Sequence, residues 1–357
     1  MNIDRADAGI KANTDSTILR GSLLIRNKDS KFLAEDLASN SVHAVITDPP
    51  YGIDFLGQSW DKVLPPLEIW KACYAVMRPG AFLLAFGHPR VYHRLGCQLE
   101  DAGFEIKDCL CWGYATGNPR PLNIDRAIDK NVGIKVDTNS EVYEPETDAA
   151  KMWQGWANNL KPAWEPIIMA QKPLEGRYID NVQKYNVGGL NIDECRIPFR
   201  DEEDMKTLES FRHFVGKDYG DDRYFSANSG NKKQCNIHPG GRWPANLVWL
   251  DPMFAEYDHI FMIPKPSRRE KGDYNEHSTV KPVELMERLI RLVTPRSSVV
   301  GEPVIVLDPF AGSGTTGIAA KNLERQFEGY EIDVESYKIA KQRLKERTSH
   351  YPDMFAV

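Results

Sequence analysis

The sequence predicts an α/β protein built on a mostly parallel sheet with helices on both faces. Three observations carry this: short apolar runs alternating with helical patterns from Gly21 onward, two apolar strands that each stop at an Asp-Pro pair, and a glycine-rich turn leading from the second strand into a helix.

Residues 1–17 are polar and aperiodic and read as a tail. Ser22 to Ile25 reads as a strand, Ser30 to Leu37 as a helix, and Val42 to Thr47 as a strand that must end at Asp48-Pro49-Pro50, because proline cannot donate to a ladder. Leu67, Trp70, Cys73, Tyr74 and Met77 recur at helical spacing, Pro79-Gly80 reads as a turn, and Ala81 to Phe86 as a strand. A helix over 89–102 and a strand over 104–112 follow. The middle, about 113–270, is rich in Trp, Gly and Asn with few clean periods, so an inserted, loop-rich module is expected there. Within it, Trp164 to Ala170 (WEPIIMA) is apolar enough to return to the core as a strand. After Lys281-Pro282, Met286, Leu289, Ile290 and Val293 mark a helix, Val304 to Leu307 a buried strand and Thr315 to Leu323 a helix. Gln326 to Tyr330 then reads as a strand, and Tyr337, Ala340 and Leu344 mark a closing helix.

Composition bounds the function. With 45 Lys and Arg against 51 Asp and Glu, the net charge of −6 weighs against a nucleic-acid partner. No apolar run approaches the roughly 20 residues that span a bilayer, and the N-terminal segment carries no signal-like apolar core, so no membrane is expected. Six cysteines without a C-x-x-C pair read as reduced thiols of a cytoplasmic protein, and the eight histidines include no metal-binding pair, so no metal is expected.

Two strand ends carry chemistry. Val304 to Leu307 runs into Asp308, Phe310, Gly312, Ser313, Gly314, Thr315 and Thr316, where small residues let a ligand approach backbone amides and a helix N-terminus. No Lys follows the glycines, which excludes a phosphate loop, and the third glycine of a dinucleotide fingerprint is missing. A nucleoside-type cofactor fits, with Glu331 at the next strand end accepting from ribose hydroxyls; a turn of purely structural meaning fits too. At the other strand end, Asp48 and the Pro49 carbonyl are acceptors with no local backbone donor, and Tyr51 adds a flat face. Two acceptors and an aromatic plate suit an exocyclic amino group on a planar ring, although an ordinary proline-rich turn has the same residues.

Together these residues resemble the beta class of S-adenosylmethionine-dependent DNA amino-methyltransferases. Asp48-Pro49-Pro50-Tyr51 matches the catalytic D-P-P-Y motif and Asp308 to Thr316 the cofactor motif with its F-x-G-x-G core, in the order of that class. His277-Ser-Thr-Val-Lys-Pro282 resembles the H-P-T-x-K-P element that closes over the methionine end, with Ser278 where the family usually has Pro. Fainter likeness to phage-type members lies in Leu160 to Pro166 and Gly241 to Asn246. The resemblance implies a circularly permuted Rossmann-like methyltransferase sheet, doubly wound and mostly parallel with one antiparallel strand. A catalytic half would span 18–118, an inserted target-recognition region 119–264 and a cofactor-binding half 265–347, with 348–357 a tail.

It further implies S-adenosyl-L-methionine held by Asp308, Phe310, Gly312, Ser313, Gly314, Thr315 and Thr316, with Glu331 on the ribose, Asp29 on the adenine amino group, and His277, Thr279 and Lys281 at the methionine end. Asp48, Pro49, Pro50 and Tyr51 would be catalytic on a flipped-out base. The absence of a Pro-Cys dipeptide argues against ring-carbon methylation, and Asp at 48 favours N6 of adenine over N4 of cytosine. An RNA or protein amino-methyltransferase and a non-catalytic DNA-binding regulator are the alternatives. DNA is the implied partner, with a homodimer and a cognate restriction enzyme as companions common to such enzymes. Residues 172–273 hold 16 basic and 17 acidic residues, so any cationic DNA surface must be local. The expected contacts are Lys232, Lys233, Arg242, Trp243, Lys265, Arg268 and Arg269, with the acids Asp201 to Asp204 and Asp221-Asp222 away from the cleft.

Overall fold

In the computed structural model, β1 Leu23–Arg26, β2 Val42–Thr47, β3 Met77–Phe86, β4 Glu105–Gly113, β5 Trp164–Gln171, β6 Leu247–Trp249, β7 Phe261–Met262, β8 Ile305–Asp308 and β9 Gln326–Tyr330 form one sheet, in the order β1-β9-β8-β2-β3-β5-β4-β6-β7. The structure describes residues 22–54, 57, 61–114, 121–137, 143–199, 201–203, 205–206, 238–249, 261–262, 266 and 280–346. The pairs β1/β9, β9/β8, β8/β2, β2/β3, β4/β6 and β6/β7 are parallel, whereas β5 runs antiparallel to β3. This is the expected mostly parallel, doubly wound architecture, and β5 is the strand expected to return from the middle of the chain.

Central strands read as unbroken apolar runs because both faces are covered. On one face Val45, Leu83, Ala85 and Leu307 join a cluster with Ile69, Trp70, Cys73 and Val76 of the helix Leu67–Val76 and Leu95 and Leu99 of the helix Tyr92–Asp101. The alternate residues Ala44, Ile46, Phe82 and Leu84 are equally buried. Helix Val283–Val293 contacts β2 and β3, helix Thr315–Asn322 contacts β8 and β9, and the two helices contact each other.

One local expectation is corrected. Pro79-Gly80 is no turn between elements but lies inside β3, where the register jumps from Val42↔Met77 to Ala44↔Phe82. Gly80 absorbs the irregularity at φ +82, and its backbone stays satisfied, its N–H donating to Lys172 O and its carbonyl accepting from the buried Gln171 amide.

From β2 the chain winds to β3 on one side, and from β8 to β9 on the other. The strand order therefore reverses between β8 and β2, whose carboxyl ends border the crevice where ligands bind in such sheets. Residues Gly113–Trp164 form a compact unit of their own. In it the buried Asp129 carboxylate accepts from the Tyr143 hydroxyl, the Glu146 and Thr147 amides and the Thr147 hydroxyl, joining helix Ile124–Asn131 to the start of helix Asp148–Met152. Among the described residues, no helix is long and apolar enough to cross a membrane.

Candidate active site

β2 delivers Asp48 to the crevice. Pro49 and Pro50 have no N–H, and the next three amides, of Tyr51, Gly52 and Ile53, all donate to the buried Asp61 carboxylate at 2.6, 3.0 and 3.3 Å. Gly52 is required in this turn: its φ is +70, and a Cβ there would stand 2.9 Å from Leu64 N. Asp48 is not left without a local donor, as the backbone alone suggested. Tyr51 Oη donates to its Oδ1 at 2.7 Å, and Lys281 Nζ donates to its Oδ2 at 2.6 Å. A carboxylate drawn into a half-dry cleft is stable only when paired, and side chains do what the prolines cannot.

Glu165, at the start of β5, completes the group with Oε2 3.2 Å from Tyr51 Oη and 3.3 Å from Lys281 Nζ. Burial, then Asp48 and Glu165, push the Tyr51 hydroxyl well above its ordinary pKa, so it stays protonated. Burial pulls the Lys281 ammonium down, but the two carboxylates outweigh it and the net shift is upward, so it stays charged. Its Nζ also lies 4.9 Å from the Phe86 ring centroid and 5.7 Å from that of Tyr51.

The neighbouring strand end is built differently. Asp308 is 3 % exposed; Oδ1 accepts from Thr47 Oγ1 at 2.7 Å and Phe310 N at 3.0 Å, and Oδ2 from Thr316 Oγ1 at 2.6 Å. Burial lifts its carboxyl to about 6 against the pull of these bonds. The loop it anchors passes Phe310, packed 5.9 Å from Trp70, and reaches Gly314 at φ +80, where a Cβ would meet that of Ala340 at 3.0 Å. Arg343 of the closing helix Val334–Glu346 donates to Ser313 O and Oγ at 2.6 and 2.8 Å and to Thr315 Oγ1 at 3.2 Å. Glu331, just past β9, accepts from Gly312 N at 2.8 Å, and burial raises its pKa. Asn27 Nδ2 donates to Glu331 O at 2.9 Å, which ties in the end of β1, where Asp29 caps a short turn by accepting from Lys31 N at 3.0 Å.

Asp29, Glu331, the loop 308–316 and Asp48 thus follow one another along the carboxyl ends of β1, β9, β8 and β2. Lys281, expected at the methionine end, has its ammonium on Asp48. Arg242 is 8 % exposed, with its guanidinium 5.0 Å from the Phe199 ring, and so offers little to a phosphate; Trp243 beside it is 67 % exposed. Of the acids expected away from the cleft, Asp201 to Glu203 are exposed. His277, Thr279, Lys232, Lys233, Lys265, Arg268, Arg269, Asp204, Asp221 and Asp222 lie outside the described residues. Sequence reasoning missed Asp61, Glu165, Thr47 and Arg343. Only Glu165 carried a signal, as the one acid in the apolar run WEPIIMA.

A family model of DNA methylases, the N6/N4 group, matches residues 42–342. The chain belongs to the N6/N4 DNA methylase family. This methylase is 28 % identical to the type II methyltransferase M.HindIII of Haemophilus influenzae over 90 % of its own length and 94 % of the relative's. It is 38 % identical to M.BglII of Bacillus subtilis, over 92 % and 72 %. The DNA adenine methyltransferase YhdJ of Escherichia coli shares 46 % identity over 22 % of this chain and 24 % of its own. Among solved structures, the M1.HpyAVI–SAM complex aligns with a TM-score of 0.45 at 22 % identity, covering 90 % of this chain and all of that one.

Proposed function

We propose that this methylase transfers the methyl group of S-adenosyl-L-methionine to the exocyclic amino group of an extruded DNA base, N6 of adenine. The observation that carries the reading is the row of groups along four adjacent strand ends. Three strand spacings cover roughly 14 Å, the reach of an extended nucleoside bearing an amino-acid tail. The donor set suits that molecule at each place: acceptors at Asp29 for the adenine amino group and at Glu331 for the ribose, and a glycine loop 308–316 that leaves room at Gly312 and Gly314 for the tail. Bound there, the cofactor supplies a sulfonium-activated methyl.

The remaining work falls to the chain. An exocyclic amine is a poor nucleophile because its lone pair is delocalised into the ring. Asp48 and the Pro49 carbonyl accept its two N–H bonds, turn the lone pair out of the ring plane and stabilise the positive charge that develops on nitrogen. Tyr51, pinned through its hydroxyl, stacks on the base once it has left the duplex. Asp at position 48 and the likeness to a relative named as an adenine methyltransferase support adenine over cytosine. A cognate restriction enzyme, a homodimer and a cytoplasmic setting belong to the same reading, supported by the relatives' names as type II methyltransferases. Expression in a host without methylases, followed by base-resolution mapping of its DNA, should return methylated adenine within a defined sequence; methylated cytosine would move the reading to N4, and unmodified DNA would overturn it.

A further inference from the structure

The group around Asp48 contains a donor that the amino-group chemistry does not use. Lys281 is 6 % exposed, and its Nζ makes one short bond, to Asp48 Oδ2 at 2.6 Å, and two long ones at 3.3 Å to Glu165 Oε2 and Tyr51 Oη. An ammonium has three N–H donors, and contacts of that length are weak, so one of them can turn to an incoming acceptor at little cost. A carboxylate oxygen has two lone pairs, so Asp48 can hold Lys281 and still accept from a substrate. The cleft therefore presents an acceptor and a donor side by side, 2.6 Å apart.

Adenine and cytosine carry the complement of that pair. In each, the ring atom next to the amino-bearing carbon is an unprotonated nitrogen, N1 or N3 on the Watson–Crick edge. Guanine has an N–H in the corresponding place, and thymine has no amino group. We propose that Lys281 donates to the ring nitrogen adjacent to the methyl-accepting amino group, so that Asp48 and Lys281 together read the Watson–Crick edge of the extruded base. Glu165 is the positioning residue that keeps the ammonium at that height in the cleft. This rests on the amino-methyltransferase reading and adds to it a specificity-determining contact. Donation to the ring nitrogen draws some electron density from the amino group, and the two carboxylates on Lys281 limit that loss. The gain is selection: a base lacking the acceptor leaves a buried ammonium short of a partner.

The test uses the duplex target found by mapping, with the target adenine replaced by 1-deazaadenine, which keeps the amino group and ring shape but has C–H in place of N1; if mapping returns cytosine, 3-deazacytosine serves. Single-turnover methyl transfer by the unaltered protein should fall on the order of 10- to 100-fold on the analogue. Lys281→Met should be slower on adenine and should treat the two substrates nearly alike. Equal rates on both duplexes with the unaltered protein would overturn the inference alone. So would full discrimination in Lys281→Met, because the difference would then lie in the ring's own reactivity. Should Lys281→Met fail to fold, Glu165→Gln carries the same comparison: a shrunken ratio supports the contact, and an unchanged one overturns it. Absence of methyl transfer to any DNA base would overturn the proposed function and this contact with it.

Discussion

Asp48 closes β2 and Asp308 closes the neighbouring β8, yet the first carboxylate is 20 % exposed and meets a hydroxyl and an ammonium on mobile side chains, whereas the second is sealed by two threonines and a backbone amide. Equivalent places on adjacent strands thus hold an acid addressed to a substrate and an acid addressed to the protein. The difference lies in the partners. Threonine hydroxyls on β2 and on helix Thr315–Asn322 are fixed by buried backbone, while Tyr51 and Lys281 stand on a proline-rich turn and at the edge of a helix.

The contrast is broken most forcefully at Asp48. Asp48→Asn keeps the size of the side chain but removes its charge, and methyl transfer to DNA should fall about 10²- to 10³-fold while S-adenosylmethionine binding and the melting temperature hold. Unchanged transfer of radiolabelled methyl would show that the two acids do not differ in role.

Asp308 answers through stability and pH. Its folded pKa of about 6 lies above the ordinary 3.8, so the folded state keeps its proton longer. This group therefore stabilises the fold below about pH 4, and that contribution is lost as pH rises to 6, on the order of 3 kcal/mol in all. Asp308→Asn does not titrate, so its deficit against the unaltered protein should be largest near pH 4 and shrink by about that amount at pH 7. The buried His43, pushed down to about 4 by burial, titrates alike in both proteins and cancels. Urea denaturation at the two pH values checks this, and a pH-independent deficit would remove Asp308 from the buried class.

Gly314→Ala is expected to be milder in stability, about 1–2 kcal/mol, from its positive φ and its contact with Ala340. It should weaken S-adenosylmethionine binding in equilibrium dialysis while the bonds around Asp48 persist. Equal losses of cofactor from Gly314→Ala and Asp48→Asn would merge the two strand ends into one functional unit.

Both strand ends were legible because apolar runs that stop at Asp-Pro leave a carboxylate at a sheet edge, and no other part of the fold needs that pattern. Their partners were not. Glu165 reaches Tyr51 only because β5 returns antiparallel beside β3, and Arg343 reaches Ser313 only because the closing helix lies over the glycine loop. These are long-range pairings with no local periodicity to announce them. Pro79-Gly80 misled for the opposite reason, because its strong local turn signal is overridden by the ladder on both sides of it. Arg242 looked like a cation for DNA, and packing over Phe199 decided otherwise.

The clamp that Arg343 places on Ser313 and Thr315 also sets a clock. β1, made first, pairs with β9, made nearly last, and the glycine loop is secured by a helix made later still. At about 5–20 residues per second of synthesis, Arg343 follows Asp48 by roughly 15–60 s. During that interval a nascent chain already displays its substrate-facing acid but has no finished place for the methyl donor. Chemical competence thus comes as a single late event, when the closing helix docks.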